Sequence, residues 1–254
     1  MKPREFLSTI GSSITVADAA PILQTTQAAA TKILSRWTKQ GWLERVGQGL
    51  YVASPISSSD VSTISGEFAL VTDIIGIEGY ICGWSALSHH GVTEQIFINL
   101  SLASFKWPRY KEVRLKKSKC CIFKISSKDA IGLEILWYQD KKIFISDIHK
   151  TIMDILAHPL WGGGLFHVVD CFRNYLSSTD CNINQVLKYA EGLNIIGVFY
   201  KRLGYLLEIN NGNQAHIDHC YARKTSGYSP LDPKTKKGKL NTRWQLIIPE
   251  HIKI

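Results

Sequence analysis

Residues 26–52 constrain the fold of this 254-residue chain more than any other stretch. Ala30, Ile33, Leu34 and Trp37 recur at the i, i+3, i+4, i+7 spacing that lines one face of an α-helix. The spacing predicts a helix over 26–40 that Gly41 closes. Directly after it, Trp42-Leu43-Glu44-Arg45-Val46 reads as a strand, Gly47-Gln48-Gly49 as a glycine turn and Leu50-Tyr51-Val52 as the returning strand. The residues before it read as two shorter helices. One begins at Pro3, which a first helical turn tolerates, and Gly11-Ser12-Ser13 breaks it. The other runs over 16–23, capped by Thr15, with Ala17, Ala20, Ile22 and Leu23 turned inward. Pro21 keeps it short or distorted, and Gln24-Thr25 makes a tight turn into the long helix.

Helix, short helix, tight turn, longer helix and glycine-tipped hairpin make a winged helix-turn-helix over residues 1–55. With its apolar stripe on the domain core, the long helix leaves Gln27, Ala28, Thr31, Lys32, Ser35, Arg36 and Lys39 to solvent. That face is expected to enter the major groove of double-stranded DNA. Thr26, Gln27 and Thr31, near the helix start, are the candidate readers of base edges, and Thr25 in the preceding turn joins them as a DNA contact. Lys32, Arg36 and Lys39 grip phosphate, which positions without specifying. Arg45 and Gln48 flank the hairpin tip and reach the neighbouring groove or backbone. A small helical domain used for protein contact is the alternative.

Charge enters at this point. The chain carries 30 Lys and Arg against 21 Asp and Glu, a net +9, and the excess is clustered. Residues 56–105 contain five acids and no Lys or Arg, whereas residues 106–128 hold nine basic side chains and one acid. Residues 220–254 hold eight basic and two acidic side chains. Lys106, Arg109, Lys111, Arg114, Lys116, Lys117 and Lys119 form one candidate basic surface. Lys234, Lys236, Lys237 and Lys239, in an expected loop, form another. Each block by itself also fits a solvated loop.

Ser54-Pro55-Ile56-Ser57-Ser58-Ser59 reads as a linker, which leaves residues 60–254 as a second, larger mixed body and the whole as α+β. Helices are expected over 62–75, 80–90, 147–156, 165–176, 182–191 and 195–208. Strands are expected over 95–102, 110–115, 120–125, 133–138 and 142–146. Asp147 caps its helix, and Lys150 and Asp154 are spaced to pair on one helix face. Arg202 and Glu208 are candidates for a half-buried pair. Gly162-Gly163-Gly164 lacks the Lys-Ser/Thr ending of a phosphate loop and reads as a tight turn. None of the six cysteines has C-x2-C spacing, so free, mostly buried thiols are expected. His216 and His219-Cys220 lack a second ligand pair, so no metal or cofactor is expected. No apolar run approaches the ~18 residues a membrane helix needs, and residues 1–10 lack a signal-peptide pattern. The expected location is the cytoplasm, with no membrane partner.

Several motifs together resemble the AbiEi-type antitoxins. Val16-Ala17-Asp18-Ala19-Ala20, Gly41-Trp42-Leu43 and Gly49-Leu50-Tyr51-Val52 resemble the family's winged-helix head. The second body adds Ser88-His89-His90-Gly91-Val92-Thr93-Glu94-Gln95, and Ile145-Ser146-Asp147 with Lys150-Thr151-Ile152-Met153-Asp154. Pro159, Arg202-Leu203-Gly204-Tyr205-Leu206-Leu207-Glu208 and Leu231-Asp232-Pro233 follow in order. Ser88, His89, His90, Asp147, Lys150, Thr151, Asp154 and Arg202 are the motif residues so marked. The resemblance covers nearly the whole chain, with Pro21 a departure. It implies a bacterial type IV toxin–antitoxin system linked to phage defence. Its head represses its own operon at inverted or direct repeats, as monomer or dimer. Its second domain counters a nucleotidyltransferase toxin, with or without a stable complex.

Two other functions compete. A stand-alone winged-helix regulator shares the head and lacks the toxin. A metal-dependent nuclease needs clustered carboxylates and a nearby Lys. Asp129 and Glu134 sit near strands, but Ile135 and Leu136 follow Glu134, and Asp140 adjoins Lys141 in an expected turn. No nucleophile motif is present, and no enzyme is expected.

Overall fold

The structure is a computed structural model. It describes residues 1–10, 13–54, 68, 71–72, 78–96, 99–106, 112–115, 118–138, 141–195, 197–235 and 237–250. The fold is α+β, and the chain's internal contacts divide it into two units. The first comprises Met1–Tyr80, Ile98–Ser126 and Ile135–Ile143; the second comprises Ile81–Phe97, Ser127–Glu134 and Phe144–Ile254. The expected linker over 54–59 lies outside the described residues apart from Ser54, as does the helix expected over 62–75 apart from helical Phe68, Val71 and Thr72.

The first unit opens with α1 (Pro3–Thr9), β1 (Ile14–Thr15), α2 (Val16–Ile22), α3 (Gln27–Lys39), β2 (Leu43–Gly47) and β3 (Leu50–Ala53). The Thr15 hydroxyl accepts the Asp18 N–H at 3.2 Å, and the Thr26 hydroxyl accepts the Ala29 N–H at 3.3 Å, which caps α2 and α3. Pro21 sits inside α2, and the helix ends one residue later. Gln24 then takes φ +50°, and Gly41 leaves α3 at φ +79°. Ala30, Leu34 and Trp37 are buried and Ile33 packs partly against the same core, which Phe6, Ile14, Ala19, Leu43 and Tyr51 complete. The Phe6 and Trp37 ring centroids lie 5.0 Å apart. Ala17 is exposed rather than inward: α2 turns Ala19 and Ala20 to the core instead. Antiparallel β1-β3-β2 form a small sheet, with Ile14 opposite Tyr51 and a bulge between Arg45 and Gly47. The strand β1, two residues long, has no legible alternation.

The same unit contains β5 (Leu100–Ser104), β6 (Glu112–Leu115) and β7 (Ser118–Lys124), with β7 between the other two. β5 runs parallel to β7, Leu100 beside Cys120, and β6 runs antiparallel to it, Arg114 opposite Lys119. Cys120 is buried and Cys121 only partly, as their alternation requires. Residues 95 and 96 precede the strand expected over 95–102, which starts at Leu100.

The second unit is mainly helical: α4 (Gly83–His89), α5 (Ile148–Ala157), α6 (Leu165–Ser177), α7 (Ile183–Gly192), α8 (Val198–Ile209) and α9 (Gln214–Arg223). Tyr80 and Ile81 belong to strand β4 (Gly79–Ile81), not to the helix expected over 80–90. Gly83 at φ +54° separates strand from helix. Ile81 pairs in parallel with Ile145 of β9 (Lys141–Ser146), and β8 (Leu133–Tyr138) neighbours β9; the residues Ile135–Ile143 of these two strands are counted in the first unit. A small sheet of order β10-β12-β11 forms near the end, from Ser229–Pro230, Leu246–Ile248 and Lys239–Asn241. Lys239 is thus in a strand and not in the expected loop. The core joins α5 to α9 with Trp244 and Leu246. Among the described residues no helix is long and apolar enough to cross a membrane.

Gly204 on α8 shows how tight this core is. A Cβ at that position would lie 2.1 Å from the ring of Trp244, which is fully buried. Gly204→Ala is expected to cost at least ~1–3 kcal/mol from overpacking. Urea denaturation followed by Trp fluorescence measures the loss, and an unchanged midpoint would contradict the packing described.

Candidate nucleic-acid interface

The solvent face of α3 follows from the burial of its other face. Thr26, Gln27, Ala28, Thr31, Lys32, Ser35, Arg36 and Lys39 are all exposed, and Thr25 is half-buried. The face carries three cations and no carboxylate. Its start is uncharged, with Thr26 and Gln27 as the polar groups, and its cations begin one turn later. Thr31 donates its hydroxyl back to the Gln27 carbonyl at 2.8 Å, which leaves its methyl group and the Gln27 amide as outward-pointing features.

The hairpin tip carries the second cluster. Arg45 and Gln48 are exposed, and Arg45 donates through Nε to the Gly47 carbonyl at 3.2 Å. An open hollow of about 410 Å³ lies there, lined by Arg45, Val46, Gly47, Gln48 and Arg114. Arg114 belongs to the basic block of residues 106–128, so the fold brings part of that block beside the hairpin within one unit. Its place there was not legible from the sequence, since nearly 70 residues separate it from Arg45. Lys119 stands directly opposite Arg114 across β6 and β7. Lys106 pairs with Glu78 at 2.7 Å on the surface, and Arg109, Lys111, Lys116 and Lys117 lie outside the described residues. In the tail, Lys234, Lys237 and Lys239 are exposed, and Lys236 lies outside the described residues.

The motif residues of the second unit have a different character. Asp147 caps α5, accepting the Lys150 N–H at 2.7 Å on one oxygen and the Tyr189 hydroxyl at 2.5 Å on the other. Burial, then the hydrogen bond to Asp147 and its charge, pushes the Tyr189 phenol up to about 12. Lys150 and Asp154 pair at 2.5 Å, both almost fully buried. Burial pushes the Asp154 carboxyl above its ordinary value, against the pull of Lys150. The Thr151 and Ser146 hydroxyls are 2.7 Å apart. His90 ends α4 and donates through Nε2 to the Ser146 carbonyl at 2.7 Å, while Ser88 and His89 are exposed. Burial, then His90, lowers the pKa of His89.

Arg202 does not pair with Glu208. Its guanidinium donates to four main-chain carbonyls, those of Leu156, Ala157 and Leu231 at 3.0 Å and of Pro230 at 3.3 Å. Burial lowers its pKa to about 10. Glu208 instead accepts from the Trp244 indole at 2.5 Å and pairs with Arg243 at 2.7 Å. The four carbonyls are invisible to side-chain spacing, whereas the i, i+4 pair of Lys150 and Asp154 was readable from it. The arrangement ties the end of α5 to α8 and to the segment around Leu231. None of the six cysteines is in a disulfide: Cys82, Cys120, Cys171 and Cys220 are buried, and Cys121 and Cys181 are partly so. Among the described residues no three His, Cys, Asp or Glu side chains are placed to hold a metal ion.

No protein-family model matches the chain, and no curated protein matches it.

Lys150→Met leaves the Asp154 carboxylate buried without its cation and is expected to destabilise the second unit by about 3–5 kcal/mol. The double change Lys150→Met with Asp154→Leu is expected to recover much of that loss. Chemical denaturation of the three proteins checks this, and equal midpoints for the single variant and wild type would show the pair to be solvated.

Proposed function

We propose that the chain is a DNA-binding antitoxin of the AbiEi type that represses its own operon. The observation that supports this best is the exposed face of α3. It joins uncharged hydrogen-bonding groups at the helix start to Lys32, Arg36 and Lys39 further on, with no acid among them. This is the order that major-groove reading needs, base-edge contacts first and phosphate grips behind. The first unit's opening elements fit a winged helix-turn-helix, in which β2 and β3 form the wing. Arg45, Gln48 and Arg114 around the wing hollow then supply further phosphate contacts. The second unit, held by Lys150, Asp154 and Arg202, is the part that counters a nucleotidyltransferase toxin. In this reading the protein is not an enzyme and uses no cofactor.

Binding to the DNA upstream of its own gene tests the reading. Affinity is expected to fall steeply with salt, because each phosphate contact releases condensed counterions. Lys32→Ala with Arg36→Ala is expected to weaken binding to all sequences and to flatten the salt slope by roughly 2. Gln27→Ala is expected to lower preference for the operator over random duplex at the same slope. Fluorescence anisotropy with labelled duplexes reads all three. Wild-type affinity in the double variant would sink the placement of the recognition helix. Co-expression with the product of an adjacent nucleotidyltransferase gene tests the antitoxin half, and failure to rescue growth would leave the stand-alone regulator.

A further inference from the structure

We propose that the second unit carries a separate binding site for single-stranded nucleic acid, centred on Tyr221. Tyr221 lies on α9 with 46% of its surface exposed, although it packs against the fully buried ring of Trp244. The two ring centroids are 5.8 Å apart at an interplanar angle of 81°. The phenol ring is therefore held by Trp244 while nearly half of the residue stays exposed. Two cations attend it. Lys224 Nζ stands 4.7 Å from the ring centroid, and the Arg243 guanidinium carbon stands 5.9 Å from it. Arg243 is oriented by Glu208, which also holds the Trp244 indole, so ring and guanidinium share one anchor.

The surroundings are positive beyond these two groups. Lys201, fully buried on α8, donates to the Gly227 carbonyl at 2.5 Å, and Lys224 is close enough to help lower its pKa after burial has done so. A second exposed aromatic, Tyr228, follows one residue after Gly227. Glu208 pairs with Arg243, and on α9 itself Arg223 pairs with Glu191.

An anchored aromatic ring with two cations over it suits a nucleic acid whose bases are unstacked. A base takes the place of the flexible Lys224 side chain on the ring, and the displaced ammonium and the guanidinium take the phosphates on either side. A duplex keeps its bases stacked and would offer only phosphate, for which the exposed tyrosine adds nothing. The site also lies outside α3 and the wing, so it does not depend on their binding DNA.

Fluorescein-labelled 12-mers of mixed sequence, as RNA and as single-stranded DNA, test the proposal with the full-length protein by anisotropy. Wild type is expected to bind single strands, and Tyr221→Ala to weaken that binding by about 5- to 100-fold. Tyr221→Phe keeps the ring and is expected to bind as wild type does. Lys224→Gln with Arg243→Gln is expected to flatten the salt slope by about 1.4. Lys32→Ala with Arg36→Ala is expected to leave single-strand binding unchanged, which separates this site from the proposed recognition helix. Tighter binding of RNA than of DNA of the same sequence supports the site and identifies the sugar it prefers. Two results would overturn the proposal: no single-strand binding, or equal binding by Tyr221→Ala.

Discussion

The burial of Trp37 against Phe6 governs the first unit. A 13-residue helix has one rotation in which Ala30, Leu34 and Trp37 are all covered, and the ring contact with Phe6 fixes it. Once that stripe is sealed, the exposed side is decided as well. Gln27, Thr31, Lys32, Ser35, Arg36 and Lys39 point to solvent because Trp37 does not. The caps reinforce the choice at the ends: Thr26 fixes where α3 starts, and Gly41 turns the chain into β2. The proposed DNA-reading face is thus a by-product of apolar packing, and a change in the core would rotate it.

The second unit is organised by buried polar groups instead. Lys150 and Asp154 pair inside α5, and Arg202 draws four main-chain carbonyls to itself, with Asp232 near enough to favour its charge. Such groups are costly to desolvate and tolerate few alternative arrangements. They hold the end of α5, α8 and the segment around Leu231 in one register, on which the anchored Trp244 and the exposed Tyr221 depend. Gly204 gives Trp244 its room. The unit thereby keeps buried polar groups beneath the exposed Tyr221.

The first 53 residues were legible because their signals are local. Periodicity gave α3, glycines gave its end and the hairpin tip, and hydroxyl residues gave two caps. The same rules misplaced Ala17, since α2 is only two turns long and its stripe is set by Pro21 and the turn after it. Residues 80–90 failed for another reason: an apolar run such as Tyr80-Ile81-Cys82-Gly83-Trp84 does not distinguish strand from helix, and here it contains both. Helix α9 was missed because His216, Asp218 and His219 mask the spacing of Ile217 and Cys220. In the candidate site, exposure on α3 was readable from periodicity, whereas the approach of Arg114 to the wing depends on the pairing of distant strands. The carbonyl partners of Arg202 are main-chain atoms and leave no trace in side-chain spacing.

Photocrosslinking tests most directly whether the rotation of α3 presents DNA with the face described. A benzophenone amino acid is placed at Ser35, on the exposed face, and in a second protein at Ser177, exposed at the end of α6. Each protein is irradiated with duplex DNA from upstream of its own gene. A crosslink from position 35 and none from position 177 is the predicted result. DNA bound without any crosslink from position 35 would contradict it.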